Sequence, residues 1–357
     1  MKFTTYPIRN GYDGQKCFVH ARCCFAPDVA IATAQYLDVT GCDLFSGIYM
    51  SKSYDEGKTW SDFVPQEGLM PTEENGVIIG NCDGTPIYHE KTGKVLLIGH
   101  KVQYNVGGKE PGDYLPATFY SVYDAAKDCF GPRKFIELPE GIVASGSGSA
   151  QYIELEDGNL LIPVTARKED KSGYLAGVLK CSFDGETITY MDMGNLLTID
   201  VARGLCEPSI IYHNDTYYMT IRNDEAAFVA RSDDGIHYYD MHFWSWEDGS
   251  LLQSYNTQQH WLKLEDELYL VYTRRDETNN RVIRHRAPLW IAKVEDMHLI
   301  KSTETALTPQ RGARLGNFGC TNTRDGKGIV MAAEWMQPIG CEKYGSDNTI
   351  YVSVVEK

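Results

Sequence analysis

The strongest constraint on the fold of this chain is a strand-and-turn unit that recurs along it. Its clearest copy runs from Gly47 to Trp60, where a short apolar strand leads into Ser53-x-Asp55-x-Gly57-x-Thr59-Trp60. Most copies join a β-branched or aromatic strand to a turn that contains Asp or Gly. The copies recur every ~50 to 70 residues, as expected for one repeated supersecondary unit. The weaker copies begin at Thr118, Gly177, Ala227, Pro288 and Thr349.

Two further strands precede each copy. The nearer one is apolar, and the one before it ends in hairpin turn chemistry such as Glu-Asp-Gly or Arg-Asp-Gly. The six apolar strands begin at Val29, Lys94, Asn159, Thr216, Leu268 and Gly328. Six sets of three strands, each with room for a fourth, predict an all-β chain that folds as a six-bladed β-propeller, one domain over residues 1–357. A β-sandwich does not predict three strand types that recur six times in the same order.

Composition limits the classes of function. The net charge of −15 argues against a nucleic-acid partner, which requires a basic face. The chain has no apolar segment of about 18 residues and no signal peptide at its start, so we expect a cytoplasmic protein without a membrane partner. Ten cysteines without a CxxC pair indicate buried thiols. We therefore expect neither a metal nor another cofactor.

The Ser53–Trp60 motif resembles the Asp-box of the sialidase superfamily, and the repeat extends this resemblance over the whole chain. Ser182–Gly185 and Ser232–Gly235 are shorter copies of the same turn. The resemblance implies that the Asp-box turns lie on one face of the propeller and a central pocket opens on the other. Because the box is structural and also occurs in propellers that are not enzymes, it does not by itself indicate catalysis.

The resemblance also selects residues in blades one and four. Arg22 is similar to the first arginine of a sialidase, and Asp43 lies where sialidases carry the acid/base aspartate, with Asp38 as a rival. Glu207 and Arg222 occupy the strand positions at which sialidases place a glutamate and a second arginine. A Glu–Arg pair can also be purely structural when it is buried.

Further candidates come from the other blades. The inner strand of blade five, NTQQHWL, lacks the arginine expected there, and Arg274, Arg275, Arg284 and Arg286 are its possible replacements. Blades two and three contribute Asp83 and Arg167, with His100, Lys101 and Ser147 as further pocket residues. So many arginines suggest an anionic ligand, because a guanidinium fork matches a carboxylate or sulfate. The alternative is that several of them form salt bridges at strand ends.

The nucleophile is the weakest part of the resemblance. Asn317 and Phe318 stand where a sialidase carries its catalytic tyrosine, and Tyr272 and Tyr344 are possible substitutes. His285 offers another chemistry, since a histidine paired with a tyrosine could remove a proton alpha to a uronate carboxylate.

These patterns favour a sialidase-like, exo-acting glycoside hydrolase on a terminal acidic sugar, either sialic acid or a uronic acid. The arginines would bind the carboxylate, Asp43 would be the acid/base, and Glu207 would orient or activate the nucleophile. The expected partner is an acidic oligosaccharide or glycoside, and the missing signal peptide favours a small imported one. The alternatives are a His/Tyr lyase, a non-catalytic glycan- or protein-binding propeller, and a five-bladed glycosidase fold.

Overall fold

The computed structural model describes residues 1–41, 44–105, 115–170, 173–201 and 203–357. Within these ranges 28 strands form six antiparallel sheets, which are arranged as the blades of a propeller. The helices of the described ranges are short 3-10 turns, and none of them is long and apolar enough to cross a membrane. The sheet count confirms the predicted six blades and excludes the five-bladed alternative.

The strands fall into two halves of the chain. The first half contains β1 (Lys2–Arg9), β2 (Lys16–Phe25), β3 (Ala30–Asp38), β4 (Phe45–Ser53), β5 (Val64–Pro65), β6 (Thr72–Glu74), β7 (Val77–His89), β8 (Lys94–Asn105), β9 (Thr118–Asp124), β10 (Cys129–Phe130), β11 (Lys134–Phe135), β12 (Ile142–Gly146), β13 (Ile153–Glu154), β14 (Leu160–Lys168), β15 (Leu175–Phe183) and β16 (Ile188–Met193). The second half contains β17 (Cys206–His213), β18 (Thr216–Arg222), β19 (Phe228–Ser232), β20 (Tyr238–Phe243), β21 (His260–Leu264), β22 (Glu267–Tyr272), β23 (Trp290–Glu295), β24 (His298–Leu299), β25 (Thr305–Ala306), β26 (Gly319–Asn322), β27 (Gly328–Ala333) and β28 (Ile350–Glu356). The 3-10 turns are Glu67–Leu69, Glu277–Asn279, Ile283–His285, Lys301–Thr303 and Cys341–Tyr344.

Blade six closes the ring by joining the two ends of the chain. Its sheet has the order β1-β28-β27-β26, so the N-terminal strand is the outer strand of the last blade. β1 pairs with β28 from Lys2 opposite Glu356 onward. The other blades are built from consecutive segments, such as β2-β3-β4-β5 in blade one and β17-β18-β19-β20 in blade four.

The core lies between neighbouring blades. One cluster joins Leu161 and Val178 of blade three to Met219 and Ile221 of blade four, all fully buried. Because the middle strands of a blade are covered on both faces, their sequences are almost continuously apolar. β14, for example, begins Leu-Leu-Ile-Pro-Val with every side chain buried.

The Asp-box turn of blade one is a closed hydrogen-bond network. The Asp55 carboxylate accepts bonds from Ser53 Oγ (2.8 Å) and from the backbone N–H and Oγ1 of Thr59 (2.9 and 2.6 Å). Gly57 has a left-handed φ of 86°, and its carbonyl accepts a 2.9 Å bond from Trp60 Nε1. Burial opposes ionisation of Asp55, but these donors outweigh it and lower its pKa to about 2. The box is therefore a structural turn, as the sequence predicts.

We expect Asp55→Ala to lower the free energy of unfolding at pH 7 by about 1–3 kcal/mol, because several donors lose their acceptor. Because the pKa of Asp55 is lowered on folding, its ionised form stabilises the fold fully at pH values above its unfolded-state pKa near 3.8. This stability is lost as the pH falls toward about 2. The difference between wild type and variant should therefore shrink on acidification. Urea unfolding at pH 7 and pH 3 measures it, and a pH-independent difference would contradict the assignment.

Candidate active site

Three inner strands carry the same β-bulge where they approach the propeller axis. One extra residue interrupts the pairing between Val19 and Arg22 in β2, between Cys82 and Thr85 in β7, and between Cys206 and Ser209 in β17. The residue that opens each bulge has a left-handed φ, which is uncommon for residues with a side chain. These residues are His20 (57°), Asp83 (55°) and Glu207 (47°). All three line one cavity.

The cavity has a volume of about 270 Å³ and a strongly charged wall. The arginines of its described wall are Arg203, Arg222, Arg284, Arg286 and Arg314. The remaining titratable or aromatic side chains include His20, Phe45, Asp83, His100, Tyr174, Glu207 and Trp335. A concave site that joins apolar surface to a few convergent polar groups is the usual form of a ligand pocket.

Glu207 and Arg222 form the best-defined pair in this wall. Arg222 Nη1 donates to Glu207 Oε1 at 2.6 Å, and Nη2 donates to Asn256 Oδ1 at 2.7 Å. Burial opposes ionisation of Glu207, but the adjacent Arg222 charge outweighs it and holds the pKa of Glu207 below its ordinary value. The other oxygen, Oε2, is buried without a hydrogen-bond partner among the described residues. Glu207 is therefore an ionised carboxylate with one oxygen available to a ligand.

Arg286 is buried beside this pair with only neutral hydrogen-bond partners. Its Nε donates to the Asn256 carbonyl at 3.0 Å, Nη2 bonds the same oxygen, and Nη1 donates to Asn317 Oδ1 at 3.1 Å. The side chain is 3% exposed. Burial and the positive charges of Arg222 and Arg314 lower the pKa of Arg286 well below its usual range, and the charge of Glu207 offsets this only in part. Such a cluster of cations stores electrostatic repulsion that a bound anion would relieve.

Asp83 belongs to a second network, directed toward the axis. Its Oδ1 accepts from Arg22 Nη2 at 2.8 Å and lies 3.2 Å from His20 Nδ1. Burial opposes ionisation, but His20 and Arg22 outweigh it, and the pKa of Asp83 lies well below its ordinary value. Arg22 also donates to the Phe318 carbonyl and to Ser149 Oγ, at 3.2 and 2.9 Å. Arg22 is 1% exposed and therefore supports the wall from behind.

An aromatic group forms another part of the wall. The guanidinium of Arg314 lies 3.6 Å from the Trp335 ring centroid, and Arg314 Nη2 donates to Gln337 Oε1 at 2.6 Å. Trp335 also packs edge-on against Phe45 and His20. Its indole Nε1 is buried without a partner among the described residues, so it can donate to a ligand.

One group of described side chains has the composition of a metal site. His20, Cys82 and Asp83 offer ligand atoms that all lie within 4.8 Å of one another. However, Arg22 already donates to the Asp83 carboxylate, and its positive charge opposes a dication at this place. The arrangement is explained by the Arg22–Asp83–His20 network alone.

One family of known sequences matches more than half of the chain. The model of the BNR repeat-like domain matches residues 80–307. The chain belongs to this family. No curated protein matches the BNR repeat chain.

Solved structures with the same fold include several sialidases. A Dyadobacter fermentans protein of unknown function is 13% identical, with a TM-score of 0.70 over 99% of this chain and 97% of the other. The K499G mutant of the NanB sialidase from Streptococcus pneumoniae gives 0.68 at 12% identity, over 98% and 70%. The Trypanosoma rangeli sialidase gives 0.64 at 13% identity, over 98% of this chain and 57% of its own. The BNR repeat chain thus has the sialidase-like propeller fold that its Asp-box predicts.

Several residues selected from the sequence lie outside the described cavity wall. Arg274 is held by both oxygens of Glu304, at 2.8 and 2.7 Å, and by Asp276 at 3.0 Å. Arg167 packs on the ring of Tyr174, 5.3 Å from its centroid. His285 Nδ1 is 2.6 Å from the hydroxyl of Tyr255. Arg274 thus matches the alternative of a salt bridge at a strand end, whereas Arg167 packs on a wall residue without lining the described cavity itself.

The predicted tyrosine substitutes lie outside the cavity wall, and the acid/base candidate lies outside the described residues. Tyr272 is buried and donates to Glu304 at 2.7 Å, and Tyr344 stacks with Arg281, so neither lines the described wall. Tyr174 is the one tyrosine in that wall. Asp43 lies outside the described residues and stays a prediction.

Sequence reasoning missed Arg203, Arg314 and Asn256. Asn256 positions both Arg222 and Arg286, through its side chain and its carbonyl. The only feature of the sequence that could have indicated Arg314 as a site residue was its position in a loop before an inner strand. The family resemblance offered no matching residue at that position.

Gly148 fixes the position of His100 in the wall. A Cβ at residue 148 would lie 2.2 Å from His100 Nδ1 and 2.6 Å from Asp83 Cβ, whereas a Cβ at Gly146 would meet His100 Cβ at 3.4 Å. We expect Gly148→Ala to cost roughly 1–3 kcal/mol of stability through overpacking. The matched Gly146→Ala change should cost less than half of that. Chemical denaturation compares the two, and equal losses would contradict this account of the glycine.

Proposed function

We propose that this BNR repeat protein is a sialidase-like glycoside hydrolase that removes a terminal acidic sugar. The observation that carries the proposal is Arg286, a buried cation with only neutral hydrogen-bond partners, beside Arg222 and Arg314. A sugar carboxylate at this place would add a second negative charge to that of Glu207 and accept charge-assisted hydrogen bonds. The cavity volume of about 270 Å³ suits one monosaccharide and thus an exo-acting enzyme.

Glu207 is the proposed catalytic carboxylate. It is ionised, it is positioned by Arg222, and its Oε2 has no described partner. Such a group can act as a base toward the nucleophile. Asp43 is the proposed proton donor, on the sequence resemblance alone.

One further observation supports a carbohydrate substrate. The Trypanosoma rangeli sialidase, which has the same fold, has been solved in complex with sialic acid. The His/Tyr elimination receives less support, because the hydrogen-bonded pair His285 and Tyr255 is not part of the described wall. A non-catalytic glycan-binding propeller would use the same arginines and differs only in lacking turnover.

The test is a turnover and binding screen on sialyl and uronyl glycosides, each paired with a neutral glycoside. We expect turnover of an acidic member, and Arg286→Ala should weaken its binding by roughly 10- to 100-fold, as charged hydrogen bonds are lost. Arg281→Ala is the control, because this exposed arginine binds Gln310 outside the cavity. Binding without turnover would favour the glycan-binding propeller, and an unsaturated product would favour the lyase. If acidic and neutral members bound equally, the proposal would fail.

A further inference from the structure

We infer that the substrate carries a second anionic group, which Arg284 and Arg203 bind at the mouth of the cavity. This inference rests on the proposed function, because it assigns the first anion, the sugar carboxylate, to the inner group around Arg222 and Arg286. The chemical class of the second group is a sulfate, a phosphate or a further carboxylate. The ligand would then be a doubly acidic sugar, such as a sulfated uronide.

The charge of the described wall exceeds what one monoanion can balance. Leaving Arg314 out of the count, four arginines, Arg203, Arg222, Arg284 and Arg286, face two carboxylates of the described wall, Asp83 and Glu207. Asp83 is already bound by Arg22 from behind the wall, and Glu207 is bound by Arg222. Asp224 lies 3.4 Å from Arg203 and 3.5 Å from Arg222, at the long end for ion pairs. A single sugar carboxylate bound at Arg286 would leave Arg284 without a counter-charge.

Arg284 is the cavity arginine with the fewest interactions among the described residues. Its side chain is exposed, and it makes no hydrogen bond or ion pair with any described residue. Its backbone has a left-handed φ of 55° inside the Ile283–His285 turn. Non-glycine residues adopt this conformation at a cost, and such residues are concentrated at functional sites. The turn thus presents a free guanidinium to the cavity.

The side chains of Arg284 and Arg286 lie at different depths in the cavity. They therefore belong to two separate anion sites. Arg286 is 3% exposed and is fixed inside by Asn256 and Asn317. It cannot follow an anion to the mouth without breaking these bonds. Arg284 is exposed two residues earlier and can bind an anion without any such loss.

Arg203 offers a second donor at the mouth. Its φ is 72°, and its carbonyl accepts a 2.9 Å bond from the backbone of Tyr174, another residue of the wall. Its Nη1 lies 3.4 Å from Asp224 with 44% of the side chain exposed, so this ion pair is weak. An anionic group of the ligand can therefore displace the Asp224 carboxylate from the Arg203 guanidinium at little cost.

The experiment compares two kinds of probe, a methyl glucuronide and its O-sulfated derivatives, on wild type and on Arg284→Gln, with affinity measured by calorimetry and turnover by product analysis. We expect at least one sulfated isomer to bind wild type at least tenfold more tightly than the unsulfated probe. Arg284→Gln should remove most of that preference, and Arg203→Gln should reduce it. Arg281→Gln, an exposed arginine of the same segment, should retain the full preference.

The outcomes separate this inference from the proposed function. Equal wild-type affinity for all probes, or no binding of any, would overturn the inference. An Arg284→Gln loss of the same factor on sulfated and unsulfated probes would assign Arg284 to the inner carboxylate and would also overturn it. A sulfated probe that binds with the expected preference but is not turned over would refute the hydrolase and leave the second anion site standing.

Discussion

Glu207→Gln should reduce kcat/KM on an acidic glycoside substrate of the proposed hydrolase by roughly 10³-fold or more, while the propeller stays folded. The amide keeps the shape of the side chain but cannot act as a base, and general-base groups contribute about 10²- to 10⁴-fold. Glu156→Gln is the matched control, because Glu156 is exposed in a hairpin turn away from the cavity. Steady-state kinetics with circular dichroism on each variant measures the effect.

The pH profile gives a second readout of the same residue. Because the pKa of Glu207 is lowered, its active ionised form should persist below the ordinary glutamate range as the pH falls. The acidic limb that Glu207 contributes should therefore lie below pH ~4.5 and be absent from the residual activity of Glu207→Gln. A variant that keeps more than a tenth of wild-type activity would show that Glu207 has no chemical role.

Arg22→Ala should destabilise the fold by roughly 3–5 kcal/mol, because it leaves the buried Asp83 carboxylate without its arginine partner. The combined change Arg22→Ala with Asp83→Asn should recover part of this loss, since no unpaired charge then remains. Urea unfolding measures the single and double variants, with Arg281→Ala as an exposed control. A loss below 1 kcal/mol for the single variant would contradict the supporting role assigned to Arg22.

Much of the fold could be predicted because its determinants are local. The Ser53–Trp60 turn contains its own hydrogen-bond partners, and the apolar strands are covered on both faces by neighbouring blades. The Glu207–Arg222 pair was also predictable, since both residues lie at the ends of strands that are paired in a hairpin. The blade count followed from the order of the strand types.

The details of the site were less predictable because they depend on the bulges. A regular strand would direct His20 and Arg22 to the same face, but the extra residue changes the direction of the chain between them. Arg22 then lies behind the wall, although the sequence resemblance selects it for the ligand. No glycine marks the residues with positive φ at 20, 83 and 207, so the sequence carried no signal for this change.

The repeated bulge has a consequence for how such proteins diverge. Each bulge places one side chain in the cavity wall, and the strand pairing resumes after it with the register shifted by one residue. Natural selection can therefore exchange the side chain of one blade without disturbing the pairing of its strands or of the other blades. A blade can thus change the residue that it presents to the cavity while the scaffold stays the same. This independence helps to explain how sequences only 12–14% identical can share one architecture.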